Sequence, residues 1–531
     1  MRSFLQFTTF VSLSVAYALG ATISGKAGTL TLSNQRISPD GFTRSASVIN
    51  GIHPGPVITL NKGESASLNV VNQLTDEAMI VGATIHWHGM FQRKTNFMDG
   101  TEGVTQCPIA PGKSFKYSFN TDEVGTYWYH SHFGEQYCDG IRGAFIIYDP
   151  NDPLRSYYDV DDESTIISLS EWYHTPTASL PPGPKGADST LINGKGRYPT
   201  GDKVDLAIIN VTQGKRYRLR IISMSCDPFY TFSIDGHDLT VIEVEGTATK
   251  PYTINTIPVY AVYAGQRYSV VLNANQRPGN YWIRALPNSG NRGLNSTFDG
   301  GVNSAILRYA GALVQEPKTT IQTDKKILDE TQLHPSTSLP PPGKATPDGA
   351  DVDFKFTFGF DQEANLFTVN GTSYKSPSVP VLLQMLSDTQ RAQDLMPKGS
   401  VFEVPRNKTV QLDFPAFSVG GPHPFHLHGH SFWVVKSADQ KYNFVDPIIR
   451  DTVNGGNTNG DIVSIRFTTD NPGPWIFHCH IDFHLKEGLA VVFAEAPGDT
   501  KSFQQTPPDT WKQLCVDWNK QPDDVKHAGG N

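Results

Sequence analysis

The stretch Gly473-Pro474-Trp475-Ile476-Phe477-His478-Cys479-His480 decides the fold, because Gly125-Thr126-Tyr127-Trp128-Tyr129-His130-Ser131-His132 is built to the same plan. In both, a glycine opens an aromatic-rich run that closes on a His-x-His pair. Aromatic and β-branched runs favour strands. On a strand, residues i and i+2 project from one face. Each copy therefore aims two imidazoles to one side. In the later copy Cys479 lies between them and points to the opposite face. A duplicated all-β unit with diverged copies is expected near the two ends of the chain.

Working outward, short runs rich in Val, Ile, Thr, Tyr and Phe alternate with Gly, Pro and Asn clusters. Strands are expected at 65–71, 114–120, 126–132, 217–222, 267–272, 281–285, 409–414 and 462–468. No long amphipathic helix stands out. Strands so spaced favour sandwiches or Greek-key barrels. The length of 531 residues suits two to four domains. Three are expected: residues 21–150, closing on Tyr148-Asp149-Pro150; a middle unit over 151–320; and a last unit over 321–531. The Pro-rich stretch Pro335–Pro347 precedes the packed part of the last unit. The middle unit has no His-x-His pair, so its expected role is structural or substrate-facing.

Residues 1–20 read as a secretory signal. Arg2 is followed by an apolar run, and Ala18 and Gly20 precede a cut before Ala21. The run is too short to span a bilayer. An extracellular, secreted protein is expected, without a membrane anchor. A formal net charge of −8 disfavours non-specific binding to nucleic acid or anionic membrane. Four Asn-x-Ser/Thr sequons, at Asn210, Asn295, Asn370 and Asn407, are candidate glycan sites. Five cysteines, Cys107, Cys138, Cys226, Cys479 and Cys515, leave one outside disulfide pairing. Cys479, between histidines, is that one. For the other four, spacing leaves three pairings open.

Ten of the 16 histidines fall in four clusters: His86-Trp-His88; His130-Ser-His132; His423-Pro-Phe-His426-Leu-His428; and His478-Cys-His480 with His484. A lone histidine is ordinarily a surface or satisfied core residue, and His53, His174, His237, His334 and His527 are read that way. Four His-x-His pairs in one chain are read as metal ligands, eight nitrogens meeting at one place. Imidazole alone does not choose among Zn, Cu, Fe and Ni. Cys479, His484 and His423 do: together they make His2Cys, the donor set of a blue-copper electron-transfer centre. Ten residues after Cys479, where a weak axial Met often sits, stands Leu489. A leucine cannot coordinate, so a raised reduction potential is expected.

These four blocks, in this order and spacing, resemble those of the multicopper oxidases over essentially the whole mature chain. Two long segments, running from His86 to Ile109 and from His478 to Leu489, resemble basidiomycete-type fungal laccases. The resemblance implies three sequential cupredoxin-like Greek-key β-barrel domains and four copper ions. His423, Cys479 and His484 would hold the type 1 copper. His86 and His426 would hold the type 2 copper. His88, His130 and His480 would hold one type 3 copper, and His132, His428 and His478 the other. His430 is outside this pattern. Disulfides Cys107–Cys515 and Cys138–Cys226 are implied, as are a monomer and oxidation of phenols and aromatic amines by O2 in lignin or phenol degradation. Asp99 matches an acid near the type 2 copper, and Asp227 one at the reducing-substrate pocket. Without the resemblance, both read as turn residues. His484 would be where electrons enter, with Ile481 and Leu489 as apolar walls.

Other oxidases of this family would share every ligand. A ferroxidase would need acids around His484, and Asp482 and Glu487 lie close in sequence. A copper-binding electron carrier needs one His2Cys site and leaves eight histidines unexplained.

Overall fold

The computed structural model describes residues 22–181, 186–253, 258–288, 296–321, 326–387, 399–416 and 419–527. The signal segment 1–20 and the sequon at Asn295 lie outside them. Strands dominate. The longest helix among the described residues is Asp509–Trp518, and none is long and apolar enough to cross a membrane.

Six large sheets form three pairs along the chain. A five-stranded and a four-stranded sheet lie between Thr22 and Tyr148. A seven-stranded and a six-stranded sheet lie between Ile166 and Ile327. Two five-stranded sheets lie between Val352 and Glu495, beside the small hairpin Phe358–Asp361/Leu366–Val369. Parallel pairings such as Leu30↔Val70 and Ile58↔Phe145 occur beside antiparallel ones. These are the long returns of Greek-key barrels, and the all-β, three-domain expectation is borne out.

Local sequence explains the strands. Ser114–Thr121 alternates strictly, burying Phe115, Tyr117 and Phe119 on one face. Burying each such ring contributes about 1.5–3 kcal/mol. By contrast, Gly125–His130 and Gly473–Cys479 are buried throughout, because both lie inside their sheets between two partners.

These two strands repeat one pairing. Gly125–His130 lies between His86–His88 and Arg142–Tyr148, with His86 opposite His130. Gly473–Cys479 lies between Pro424–Leu427 and Ala490–Glu495, with His426 opposite His478. Directly opposed residues bring their side chains within about 5 Å on one face. The duplication seen in two octapeptides thus extends to their partners.

The expected strand 126–132 is corrected. It ends at His130, and His132, His428 and His480 all lie just beyond a strand end. The partner strand begins at Arg142, so the ladder runs out there. Only one imidazole of each of these pairs is held by sheet geometry; the other depends on the turn.

Both implied disulfides are present, Cys107–Cys515 and Cys138–Cys226, and Cys479 is free and buried. The first ties the helix Asp509–Trp518 to the first unit, and the second ties the first unit to the middle one.

Candidate metal centres

The first centre is a triangle. His423 Nδ1 and His484 Nδ1 are 3.1 Å apart, and lie 3.4 and 3.7 Å from Cys479 Sγ. The point equidistant from these three atoms is about 2.0 Å from each, close to the ~2.0–2.3 Å of nitrogen and thiolate bonds to a metal. His423 stands just ahead of the strand Pro424–Leu427, Cys479 ends the strand Gly473–Cys479, and His484 sits on the short helix Asp482–Lys486. All three are buried. Leu489 is fully buried and joined to two of them: its amide donates to the His484 carbonyl at 2.9 Å, and its carbonyl accepts from the Cys479 amide at 3.1 Å. Ile481 is buried and its carbonyl accepts from the His484 amide. Phe367 packs against both imidazoles. The Nε2 edge of His484 lies under Gly420 (φ +73°), where a Cβ would come within 3.1 Å of it.

The remaining eight imidazoles gather on the other face of Cys479. The donor atoms of His88, His130 and His480 lie within 4.8 Å of one another, as do those of His132, His428 and His478. His480 Nε2 is 3.1 Å from His88 Nδ1, and His428 Nε2 is 3.1 Å from His478 Nε2. His86 and His426 complete the group, with His88 between them and the first triad.

The outer ring nitrogens are tied down. Nδ1 of His86, His130, His426 and His478 each meets a backbone carbonyl at 2.8–2.9 Å, those of Asp99, Ser131, Asp451 and Cys479. A carbonyl only accepts, so each Nδ1 carries the proton and Nε2 is left as a lone-pair donor. The Nε2 atoms of His86, His130, His132 and His426 are buried without a hydrogen-bond partner among the described residues. Such an arrangement is expensive unless a metal ion accepts them. Burial first, and neighbouring imidazoles next, hold His88, His130, His132, His426, His428 and His480 well below the usual histidine range. Burial pulls His478 down to about 4. Neutral imidazoles are the form that binds metal. The donor set fits copper: soft thiolate with two imidazoles at one centre, imidazoles alone at the other.

Asp99 is buried against this cluster. Its carboxylate takes the Thr101 hydroxyl at 2.7 Å and lies 2.9 Å from His428 Nδ1, while its carbonyl holds His86. The backbone turns tightly just after it. Gly100 (φ +86°) follows it, and a Cβ there would strike the Ile85 carbonyl. Asp227 is buried beside Cys226, whose carbonyl accepts the amide of Asp482 at the start of the His484 helix. Asp482 is itself buried, and its desolvation raises its carboxyl well above the ordinary range. A cleft lined by Thr101, Glu102, His132, Tyr374, Ser376 and Lys486 reaches the cluster at His132.

Of the histidines read as lone, His174 pairs with Asp40, and His237 with Tyr309. His430 pairs with Glu495 at 3.0 Å. Sequence reasoning missed Asp451, Thr452 and Arg267. No short-range spacing marks them, since Asp451 reaches His88 across 363 positions.

Three family models described as multicopper oxidase match residues 31–152, 163–312 and 374–499. A laccase of Trametes hirsuta is 52% identical, covering 97% of this chain and 98% of its own. The solved laccase of Botrytis aclada is 30% identical with a TM-score of 0.79, covering 95% of this chain and 93% of that one. Fet3p, a multicopper oxidase that functions in iron import, is 26% identical with a TM-score of 0.79, covering 93% and 95%. With three family models matched along its length and a laccase alike over nearly all of it, the chain belongs to the multicopper oxidase family.

Proposed function

We propose that this protein is a secreted laccase. It takes single electrons from phenols and aromatic amines at the His423–Cys479–His484 centre and delivers them to O2 at the eight-histidine cluster. Copper, when bound, supplies a one-electron acceptor at the first centre and the four-electron reduction of O2 to two waters at the second. His423, Cys479 and His484 hold the type 1 ion, and His86 and His426 the type 2 ion. His88, His130 and His480 hold one type 3 ion, and His132, His428 and His478 the other. The observation that carries this reading is the tripeptide His478-Cys479-His480, whose sulfur belongs to one centre and whose imidazoles belong to the other. The chain itself joins the two, and His478 Nδ1 also donates to the Cys479 carbonyl at 2.9 Å.

The protein's own groups do the rest. Leu489 and Ile481 keep the thiolate centre apolar, and His484 is where electrons enter. Asp227 takes the phenol proton as the electron leaves. Asp99 orients His86 and His428 and hands protons to the cluster. Sugars at Asn210, Asn370 and Asn407, all exposed, a monomeric state, and domain limits near residues 150 and 320 belong to the same proposal.

The likeness to Fet3p raises an iron-oxidising reading. Asp482 argues against it, being largely buried. Purified protein decides between the two. O2 consumption with a methoxyphenol, with Fe2+ and with ascorbate is compared, alongside the visible spectrum. An intense blue thiolate–copper band with the methoxyphenol as best donor is expected; faster turnover of Fe2+ overturns the laccase reading.

A further inference from the structure

His88 is held differently from the other ligand candidates. Where His86, His130, His426 and His478 give Nδ1 to backbone carbonyls, His88 turns Nε2 outward, 3.3 Å from Asp451 Oδ1 and 3.2 Å from Thr452 Oγ1. It therefore offers Nδ1 to the metal position, 3.1 Å from His480 Nε2. A hydroxyl both donates and accepts, so Thr452 cannot fix the ring's tautomer. Only an ionised carboxylate, which accepts alone, does so.

That carboxylate is controlled from elsewhere. Arg267, in the middle unit, grips it with two bonds of 2.7 and 2.6 Å. The same guanidinium donates to the Thr126 carbonyl of the first unit at 2.8 Å. Glu245, also in the middle unit, accepts the Asp451 amide and binds Arg450 at 2.8 Å. The Asp451 carbonyl meanwhile receives Nδ1 of His426 at 2.8 Å. Arg267, Asp451, Thr452 and His88 are all fully buried or nearly so. The backbone of Gly265, two residues before Arg267, lies against the rings of both His88 and His480.

We propose that the middle unit, which carries no ligand cluster, sets the donor atom of His88 through Arg267 and Asp451, making these two positioning residues for the copper between His88, His130 and His480. A bidentate arginine–carboxylate pair is planar and charge-assisted, so the Asp451 oxygen faces His88 in one orientation. With the pair broken, Thr452 turns donor as readily as acceptor, and a His88 protonated at Nδ1 cannot bind. The inference rests on the ligand assignment proposed above.

The test uses the full chain in four forms: wild type, Asp451→Asn, Arg267→Gln/Asp451→Asn and His88→Ala. The double variant leaves no orphaned charge if the single one does not fold. Ring 15N shifts of His88 in metal-free protein report the tautomer, and titration with cupric ion alone reports copper content. Wild type shows His88 protonated at Nε2. In the Asp451 variants a mixed tautomer is expected, with a 10–100-fold loss of affinity for one copper and the blue band kept. A folded Asp451 variant with wild-type tautomer and four coppers at wild-type affinity overturns the positioning role. If His88→Ala also keeps four coppers, the ligand assignment falls, and this inference with it. If only His88→Ala loses copper, the assignment stands and the positioning role alone is lost.

Discussion

Replacing Gly265 by alanine tests how tightly the middle unit closes the metal cluster. A Cβ there would come within 2.9 Å of His480 Cδ2 and 3.0 Å of His88 Cε1, whereas ordinary contact begins near 3.4 Å. Each ring would have to retreat by about 0.4–0.5 Å, while metal–ligand distances tolerate about 0.2 Å. The left-handed backbone at 265 (φ +84°) adds about 1–2 kcal/mol of strain for any residue with a Cβ. Gly112→Ala is the control, with φ +74° and nothing within 4 Å of the new methyl. Both variants should lose stability from the left-handed backbone, and Gly265→Ala more because of the ring contacts, read as denaturation midpoints. Only Gly265→Ala should lose copper, at least tenfold in affinity, and with it O2 consumption. Its blue band should survive, because Cys479 faces the other centre. Gly265→Ala with four coppers and wild-type turnover would refute the close fit. So would equal copper loss in the control.

Asp227→Asn should slow phenol oxidation at acidic pH far more than oxidation of a non-phenolic one-electron donor, and equal losses on both would remove its proton-accepting role. Leu489→Met should lower the type 1 potential in a redox titration; no change would mean that residue 489 is not axial. Glu102, in the cleft beside His132, is pushed up to about 7 by burial, against the Ser376 hydroxyl bond that lowers it. An acid raised in the fold adds stability below its unfolded value of about 4.5 and loses it as pH rises through about 7. Glu102→Gln should therefore match wild type at pH 4.5 and exceed it above pH 7 in urea midpoint; a constant difference across this range would contradict the shift.

The parts of this protein legible in its sequence are those governed by periods of two. The alternation of Ser114–Thr121, the two aromatic His-x-His runs and the odd cysteine between His478 and His480 needed only strand geometry. All eight expected strands are present, and both centres form where the pairs predict. Legibility failed where the strands stop. His132, His428 and His480 sit beyond the ladder, and what aims them is turn geometry and hydrogen bonds rather than pleat.

Asp99 shows the boundary between the two kinds of information. Its turn before Gly100 was readable, but its grip on His428 comes from a residue 329 positions away. Asp482 shows it from the other side. Its place two residues before His484 was readable, but its burial is a matter of packing.

The sequence by itself determined the donor set, the fold class and the separation of sulfur from imidazoles at Cys479, because all three follow from residue type and alternation within a few positions. Only the tertiary structure decided which nitrogen each histidine offers. That choice depends on a hydrogen-bond partner for the opposite side of each ring. For His88 the partner is Asp451, held by Arg267 of the middle unit, three residues that meet only when all three barrels have closed on one another.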